Sequence, residues 1–168
     1  NYPALLVLHK IAPALAAGNP VVLKPASLTP LSALKLGGLL VEAGVPASAV
    51  SVIPGPGATV GDALVGDPRV DKISFTGDSS TGAGILRRVA DNMTRVSLEL
   101  GGKSAAIVFA DADLDTAVEA IPYSVFANAG QDCCARSRML VERSVYAEVA
   151  ARVAARPPPP PAGAPTPH

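Results

Sequence analysis

The sequence predicts an α/β fold in which a parallel sheet is covered by helices on both faces. Two observations predict it. Short apolar runs alternate along the first part of the chain with segments in which apolar residues recur at helical spacing. Four such runs, each separated from the next by a helical segment, require crossover connections, and these place the strands parallel. The prediction is therefore a Rossmann-like sheet.

The individual elements follow from periodicity and from the residues that stop it. The predicted strands are 21–23, 50–53, 72–75 and 96–99, and the predicted helices are about 4–18, 29–44, 59–65 and 81–90. In the first helix Leu5, Leu8, Ile11 and Leu15 recur every three or four positions, and Gly18 supplies a stop. The pair Thr29-Pro30 starts the second helix, because proline is favoured at a helix start.

A second structural unit is predicted after Gly101-Gly102, where the pattern changes. The strand 105–109 is followed by Asp111, the predicted N-cap of a helix that reaches Phe126. A strand at 139–141 and a last helix at about 146–156, capped by Ser144, complete it. We therefore expect one unit over 1–98, the start of another over 99–156, and a tail over 157–168.

The tail changes composition abruptly, with five consecutive prolines from Pro157 to Pro161. We expect it to be disordered, and we interpret the change after about Arg156 as a truncated or frame-shifted end. A polyproline ligand or a stiff linker is the alternative.

Charge and composition exclude several function classes. The 14 basic and 14 acidic residues balance, so neither nucleic acid nor a membrane surface is an expected partner. No apolar run approaches the roughly 20 residues that a bilayer span requires, and the start of the chain lacks the pattern of a signal peptide. The two cysteines are adjacent and cannot staple a fold, so we expect a reducing compartment, the cytoplasm. We expect no metal site.

Cys133 is the candidate nucleophile. A thiol reacts as its thiolate, and free cysteine titrates near pH ~8.5, so a catalytic cysteine needs local donors. The preceding loop, residues 128–131, is able to wrap backbone N–H groups around it. The alternative is that Cys133 and Cys134 are small core residues.

Four linked motifs decide between these alternatives. They are Asn128-Ala129-Gly130-Gln131-Asp132-Cys133, Leu98-Glu99-Leu100-Gly101-Gly102-Lys103-Ser104, Phe75-Thr76-Gly77 and Val21-Val22-Leu23-Lys24-Pro25. In this order and spacing they resemble the NAD(P)-dependent aldehyde dehydrogenase superfamily over about residues 1–156, roughly a third of a complete member. The resemblance implies a partial NAD(P)-binding domain over 1–98 and the start of a catalytic domain over 99–156.

The resemblance also implies the chemistry. Cys133 would attack the aldehyde carbon, with Asn1 and the Cys133 N–H holding the oxyanion, and Cys134 would be a bystander. Hydride transfer to NAD would leave a thioester, which water activated by Glu99 would hydrolyse to the carboxylate. Because apolar Leu98 and Leu100 flank it, we expect Glu99 to be desolvated and so a stronger base. Its alternative role is an ion pair with Lys103.

The cofactor-binding positions that the resemblance implies are Lys24, Ser27, Gly57, Gly61, Gly77 and Asp78. Lys24 would bond the adenosine ribose, and its alternative is a solvated surface lysine. Gly57 and Gly61 would let the adenine lie against the neighbouring helix, and Gly77 would let backbone approach the pyrophosphate. Ser27 stands where many NAD-preferring members have a glutamate that grips the ribose 2′-hydroxyl, so repulsion of a 2′-phosphate is lost and NADP is possible. The expected cofactor is NAD.

The resemblance also bears on the substrate and on assembly. Gly77-Asp78 together with Gln131-Asp132-Cys133 is similar to the branches that oxidise betaine aldehyde and aminoaldehydes, in which an acidic residue beside the nucleophile suits a cationic substrate. The family is homo-oligomeric, and its dimer-forming part is expected to be absent here. The alternatives are transfer of the thioester to coenzyme A, and a catalytically inactive fragment with at most weak nucleotide binding.

Overall fold

The computed structural model describes residues 1–156, so the predicted proline-rich tail, 157–168, lies outside the described residues. Residues 2–100 form one compact unit, and residues 101–156 form a second, with which Asn1 is grouped. Within the described residues, every helix is too short or too polar to cross a membrane.

The first unit alternates helices and strands as predicted. Its elements are α1 (Pro3–Ala16), β1 (Val21–Leu23), α2 (Leu31–Glu42), β2 (Val50–Val52), a π-helical turn (Gly57–Gly61) that runs into α3 (Asp62–Gly66), β3 (Lys72–Gly77), α4 (Ser79–Val89) and β4 (Arg95–Leu100). All four predicted strands are present, which confirms the α/β class.

The strands pair in parallel, as the crossovers require. Val21 of β1 lies opposite Val50 of β2, and Lys72 of β3 lies opposite Arg95 of β4. The predicted single sheet is instead two separate pairs, since no ladder joins them in the part of the chain that the structure describes. Periodicity identifies a strand by which of its faces is apolar, and it carries no information about which strand lies beside it.

Each pair has its own small core. Ile11 and Ala33, each only 1% exposed, bring α1 and α2 together over β1 and β2. Val65, Ile85 and Val89 cover β3 and β4. Of the apolar residues whose spacing predicted α1, Leu5 and Leu8 are 49% and 42% exposed. That helix instead turns Val7 and Ile11, one turn apart, toward the core.

The second unit repeats the same architecture once. It comprises β5 (Ala105–Val108), α5 (Leu114–Phe126), a 3₁₀ turn (Ala127–Gly130), β6 (Arg138–Val141) and α6 (Tyr146–Ala154). The two strands are parallel, and the buried core between strands and helices consists of Val108, Val118, Ile121 and Val149.

Two predicted helix caps are wrong. The N-cap of α5 is Asp113, whose Oδ1 accepts hydrogen bonds from the backbone N–H groups of Asp115 (3.1 Å) and Thr116 (3.2 Å). Asp111 lies too early, because a cap must directly precede the first helical residue. Ser144 donates to Glu142 Oε1 at 2.9 Å instead of capping α6.

The cap assignment predicts different effects for two neighbouring aspartates. Asp113→Ala should lower the unfolding temperature of the chain by about 2–4 °C, because the first turn of α5 loses its acceptor. Asp111→Ala removes an exposed carboxylate of the same kind and should change it by less than about 1 °C. Thermal unfolding followed by circular dichroism compares them, and equal losses would contradict the assignment.

Candidate active site

The loop that leads to Cys133 is held in an unusual backbone conformation. Asn128, Ala129 and Gly130 have φ values of 51°, 57° and 74°, which place three successive residues in the left-handed region. Asn128 Nδ2 donates to the Gln131 carbonyl at 3.0 Å, and the Gln131 N–H donates to the Asn128 carbonyl at 3.0 Å. Left-handed alanine costs roughly 1–2 kcal/mol, so the loop stores strain directly before the candidate nucleophile.

Both cysteines are free and exposed, so the alternative that they are core residues is wrong. Their sulfur atoms lie 3.7 Å apart. The half-buried side chain of Asp132 stabilises the turn that follows it, because its Oδ1 accepts a hydrogen bond from the Cys134 N–H at 2.9 Å. Its carbonyl accepts from the Ala135 N–H at 3.1 Å. The segment 132–135 therefore presents two thiols and one carboxylate together.

These neighbours raise the pKa of the Cys133 thiol. The largest cause is the hydrogen bond with Cys134, followed by desolvation and by the negative charges of Cys134 and Asp132, while the Cys133 backbone N–H opposes them only weakly. In the described surroundings the groups that raise the pKa therefore outweigh the backbone N–H, which lowers it.

Glu99 lies near the end of β4, opposite Thr76 in the ladder. Its side chain is exposed, so the expected desolvation is wrong. Successive side chains of a strand point to opposite faces, which directs Leu98 and Leu100 away from Glu99. An ion pair with Lys103 is absent from the ion pairs formed within residues 1–156. Glu99 belongs to the first unit, whereas Asn1, also exposed, is grouped with the unit that holds Cys133.

Lys10 is a residue that the sequence interpretation missed. From α1 its Nζ donates to Ser74 Oγ on β3 at 3.0 Å. Burial lowers the pKa of Lys10, and the nearby charge of Glu99 opposes that effect. On the same face of β3 the Thr76 Oγ1 atom is buried and has no hydrogen-bond partner among residues 1–156. The signal in the sequence was the polar residue at every second position of two apolar strands, and the ladder pairs Ser74 with Ser97 and Thr76 with Glu99.

Three candidate cofactor positions meet where β1 and β2 end. Lys24 Nζ donates to the carbonyls of Pro25 (2.7 Å) and Gly55 (3.0 Å), and Ser27 Oγ donates to the Gly55 carbonyl at 3.1 Å. Lys24 is half-buried, so the alternative of a fully solvated lysine is wrong. A Cβ on Gly61 would lie 3.7 Å from the Lys24 side chain. Carboxyl ends of parallel strands are where such sheets bind ligands.

Gly57 and Gly61 delimit the π-helical turn, a rare element that often marks functional sites. A Cβ on Gly57 would meet nothing within 4 Å, so backbone there is open to an approaching group. The glycine that the turn itself requires is Gly55, which has φ +154° and whose Cβ would lie 2.5 Å from Val60 Cγ2.

Gly77 and Asp78 join β3 to α4. A Cβ on Gly77 would lie 2.5 Å from the ring of Phe75, so any larger residue there would displace that ring. Asp78 caps α4 and accepts from the Ser80 N–H at 2.7 Å and from its hydroxyl at 2.6 Å. The Ser80 hydroxyl, together with backbone N–H groups, lowers the pKa of Asp78. The helix start that was predicted to face a pyrophosphate therefore already carries a carboxylate.

Comparisons with known proteins agree with these motifs. Residues 1–166 match the model of the aldehyde dehydrogenase family. The chain is 49% identical to betaine aldehyde dehydrogenase of Bacillus subtilis over 156 residues, covering 93% of this chain and 32% of that protein. It is 51% identical to human retinaldehyde dehydrogenase 3 over 154 residues, covering 90% and 30%.

A solved structure is similar in fold as well as in sequence. Betaine aldehyde dehydrogenase from Staphylococcus aureus in complex with NAD+ superposes with a TM-score of 0.86 at 41% identity, covering 90% of this chain and 30% of that one. The chain thus spans about a third of the length of the curated relatives it matches, at 30% and 32%. It belongs to the aldehyde dehydrogenase family.

Proposed function

We propose that residues 1–156 supply the nucleophile, the general base and part of the cofactor site of an enzyme that oxidises an aldehyde to a carboxylate with NAD(P)+. The observation that carries the proposal is the family match over the whole described chain, within which the motif around Cys133 is intact. In this proposal residues 1–98 are part of the NAD(P)-binding domain and residues 99–156 begin the catalytic domain.

The reaction assigns one role to each of three side chains. The Cys133 thiolate attacks the aldehyde carbon, and the Asn1 amide and the Cys133 N–H donate to the oxyanion that forms. NAD(P)+ accepts the hydride, which leaves a thioester on Cys133. Glu99 then takes a proton from water, the resulting hydroxide attacks the thioester, and the carboxylate departs as the thiol is restored.

The exposure of Glu99 supports hydrolysis as the second half of this reaction. A general base for deacylation must reach water, and Glu99 lies on the polar face of the β3–β4 pair. Transfer of the thioester to coenzyme A is disfavoured, because a base that activates water makes hydrolysis compete with transfer.

Lys24 and Ser27 support an adenosine ribose at the ends of β1 and β2. An ammonium carries three N–H donors, and Lys24 directs two of them to the carbonyls of Pro25 and Gly55. The third is the donor for a ribose hydroxyl. Ser27 is neutral and donates to the Gly55 carbonyl, so its oxygen can accept from a 2′-hydroxyl without repelling a 2′-phosphate. We propose NAD as the cofactor, with NADP also accepted.

Nucleotide binding by the 168-residue chain tests this part of the proposal. Lys24→Ala should weaken binding of NAD+ about tenfold, the effect of one lost hydrogen bond from a charged donor. The matched control is Lys35→Ala, which removes an exposed lysine of α2 and should leave the Kd unchanged. Titration calorimetry with NAD+ and NADP+ measures both. Equal Kd values for the two variants would contradict the role of Lys24.

For the substrate we propose an aldehyde with a cationic group, such as betaine aldehyde. What supports it is the half-buried Asp132 carboxylate next to Cys133, whose negative charge contributes to the raised pKa of that thiol. A bound cation would offset this charge and favour the thiolate.

The compartment and the assembly are further parts of the proposal. Two free, exposed thiols suit a reducing compartment, so we propose the cytoplasm. The family resemblance supports a homo-oligomer for the whole protein.

Substrate charge is testable in a chimera of the Bacillus subtilis relative whose matched third is replaced by residues 1–156. Asp132→Asn should lower kcat/KM for betaine aldehyde at least about fivefold relative to a neutral aldehyde, because an attraction of about 1 kcal/mol is lost. Asp111→Asn, an exposed aspartate of the same unit, is the control. A loss that is equal for both aldehydes would contradict the assignment.

A second candidate function is nucleotide binding without turnover. The observation that favours it is the raised pKa of Cys133, since the groups around the thiol disfavour its reactive form. The two functions differ in one measurement. Binding alone leaves the Lys24→Ala effect on nucleotide affinity intact while the chimera forms no NADH.

A further inference from the structure

A cluster of three ligand atoms lies at the segment 132–134. One carboxylate oxygen of Asp132 and the sulfur atoms of Cys133 and Cys134 all lie within 4.8 Å of one another. Both thiols are exposed, so a dissolved ion reaches them without any opening of the fold. The Asp132 carboxylate is already fixed through the hydrogen bond from the Cys134 N–H to Oδ1.

The separation of the two sulfur atoms suits a bridging cation better than a disulfide. Zinc–thiolate bonds of about 2.3 Å at a tetrahedral angle place two sulfurs about 3.8 Å apart. Cys133 Sγ and Cys134 Sγ lie 3.7 Å apart. A disulfide usually needs Cα atoms about 4.4–6.8 Å apart, whereas adjacent residues hold theirs at about 3.8 Å, so bond formation between these two thiols would strain the backbone.

We propose that Asp132, Cys133 and Cys134 form a binding site for a thiophilic divalent cation such as Zn²⁺ or Cd²⁺. Two thiolates and Oδ2 of the carboxylate are the protein ligands, and water takes the fourth position of a tetrahedron. The two thiols lose their protons to solvent as the two metal–sulfur bonds form, with no change of oxidation state.

The charges within the segment 132–134 also favour a bound cation. The groups that disfavour a lone thiolate at Cys133 are the thiol of Cys134 and the negative charge of Asp132. Those groups become ligands when a cation is present, and its charge then stabilises all three anions together. A consequence that rests on the proposed function is inhibition, because a Cys133 sulfur bound to metal cannot attack an aldehyde.

Titration of the reduced 168-residue chain with Cd²⁺ tests the site, since sulfur-to-cadmium charge transfer absorbs in the ultraviolet. We expect one cation per chain, release of two protons, and displacement by Zn²⁺. The chain contains only two cysteines, so Cys133→Ser and Cys134→Ser should each weaken binding at least about tenfold. Asp132→Asn should weaken it several-fold, and Asp111→Asn should not change it. Circular dichroism verifies that each variant is folded.

Three outcomes would overturn the site. One is unchanged affinity in Cys134→Ser, which would leave Cys133 as the only sulfur ligand. Another is one cation per two chains with a matching increase in size on gel filtration, which would mean that the ion links separate molecules. The third is the absence of a charge-transfer band at stoichiometric Cd²⁺. NAD+ binding, measured on the same samples, reports on the proposed function separately, because Lys24 and Ser27 lie in the other unit.

Discussion

Replacement of Cys133 by alanine is expected to abolish aldehyde-dependent NADH formation in the chimera, with a loss of at least about a thousandfold. The reason is chemical, because without the sulfur no covalent adduct forms and no thioester follows. Cys134→Ala is the matched control. It removes a thiol that is also exposed and only 3.7 Å away, and it should retain most of the activity.

The control also tests the local electrostatics. The hydrogen bond with Cys134 is the largest cause of the raised pKa of Cys133, so its removal should increase the thiolate fraction near neutral pH. Alkylation of Cys133 by iodoacetamide should then be faster in Cys134→Ala than in the unaltered chain. Equal loss of NADH formation from both alanine variants would reject Cys133 as the nucleophile, and a chimera that binds NAD+ normally shows that neither loss reflects unfolding.

Periodicity predicted the elements of the fold but not their surroundings. The helix and strand positions follow from apolar spacing, and α1 and β1 lie within two residues of their predicted bounds at 4–18 and 21–23. What periodicity did not predict is which elements pack against one another. Leu5 and Leu8 belong to the apolar stripe of α1 but are exposed, because the face that packs is set by where α2 lies. The parallel pairing was predicted correctly, but for the same reason the division of the four strands into two separate pairs was not.

The candidate site shows the same division between residue identity and environment. Motifs alone selected Lys24 and Ser27, and the structure places both at the Gly55 carbonyl. Glu99 was expected to be desolvated by its sequence neighbours, but strand geometry sends those side chains to the other face. Lys10 was missed because a lysine within an amphipathic helix is usually solvated, and only the folded chain brings its Nζ to Ser74 Oγ, 64 residues away.

Glu99→Gln should separate the two halves of the reaction in the chimera. Hydride transfer precedes the step that needs the base, so we expect a burst of one NADH per active site, followed by steady-state turnover slower by about 10²–10⁴-fold. Glutamine keeps the size of the side chain but cannot take a proton from water.

The control is Glu42→Gln, which changes an exposed glutamate at the end of α2 and should show neither effect. A variant that binds NAD+ normally but gives no burst would place the defect before the thioester and reject the base role. A burst followed by a stall would instead show that an exposed carboxylate on the polar face of β3 and β4 deacylates the enzyme without the apolar surroundings that its sequence predicted.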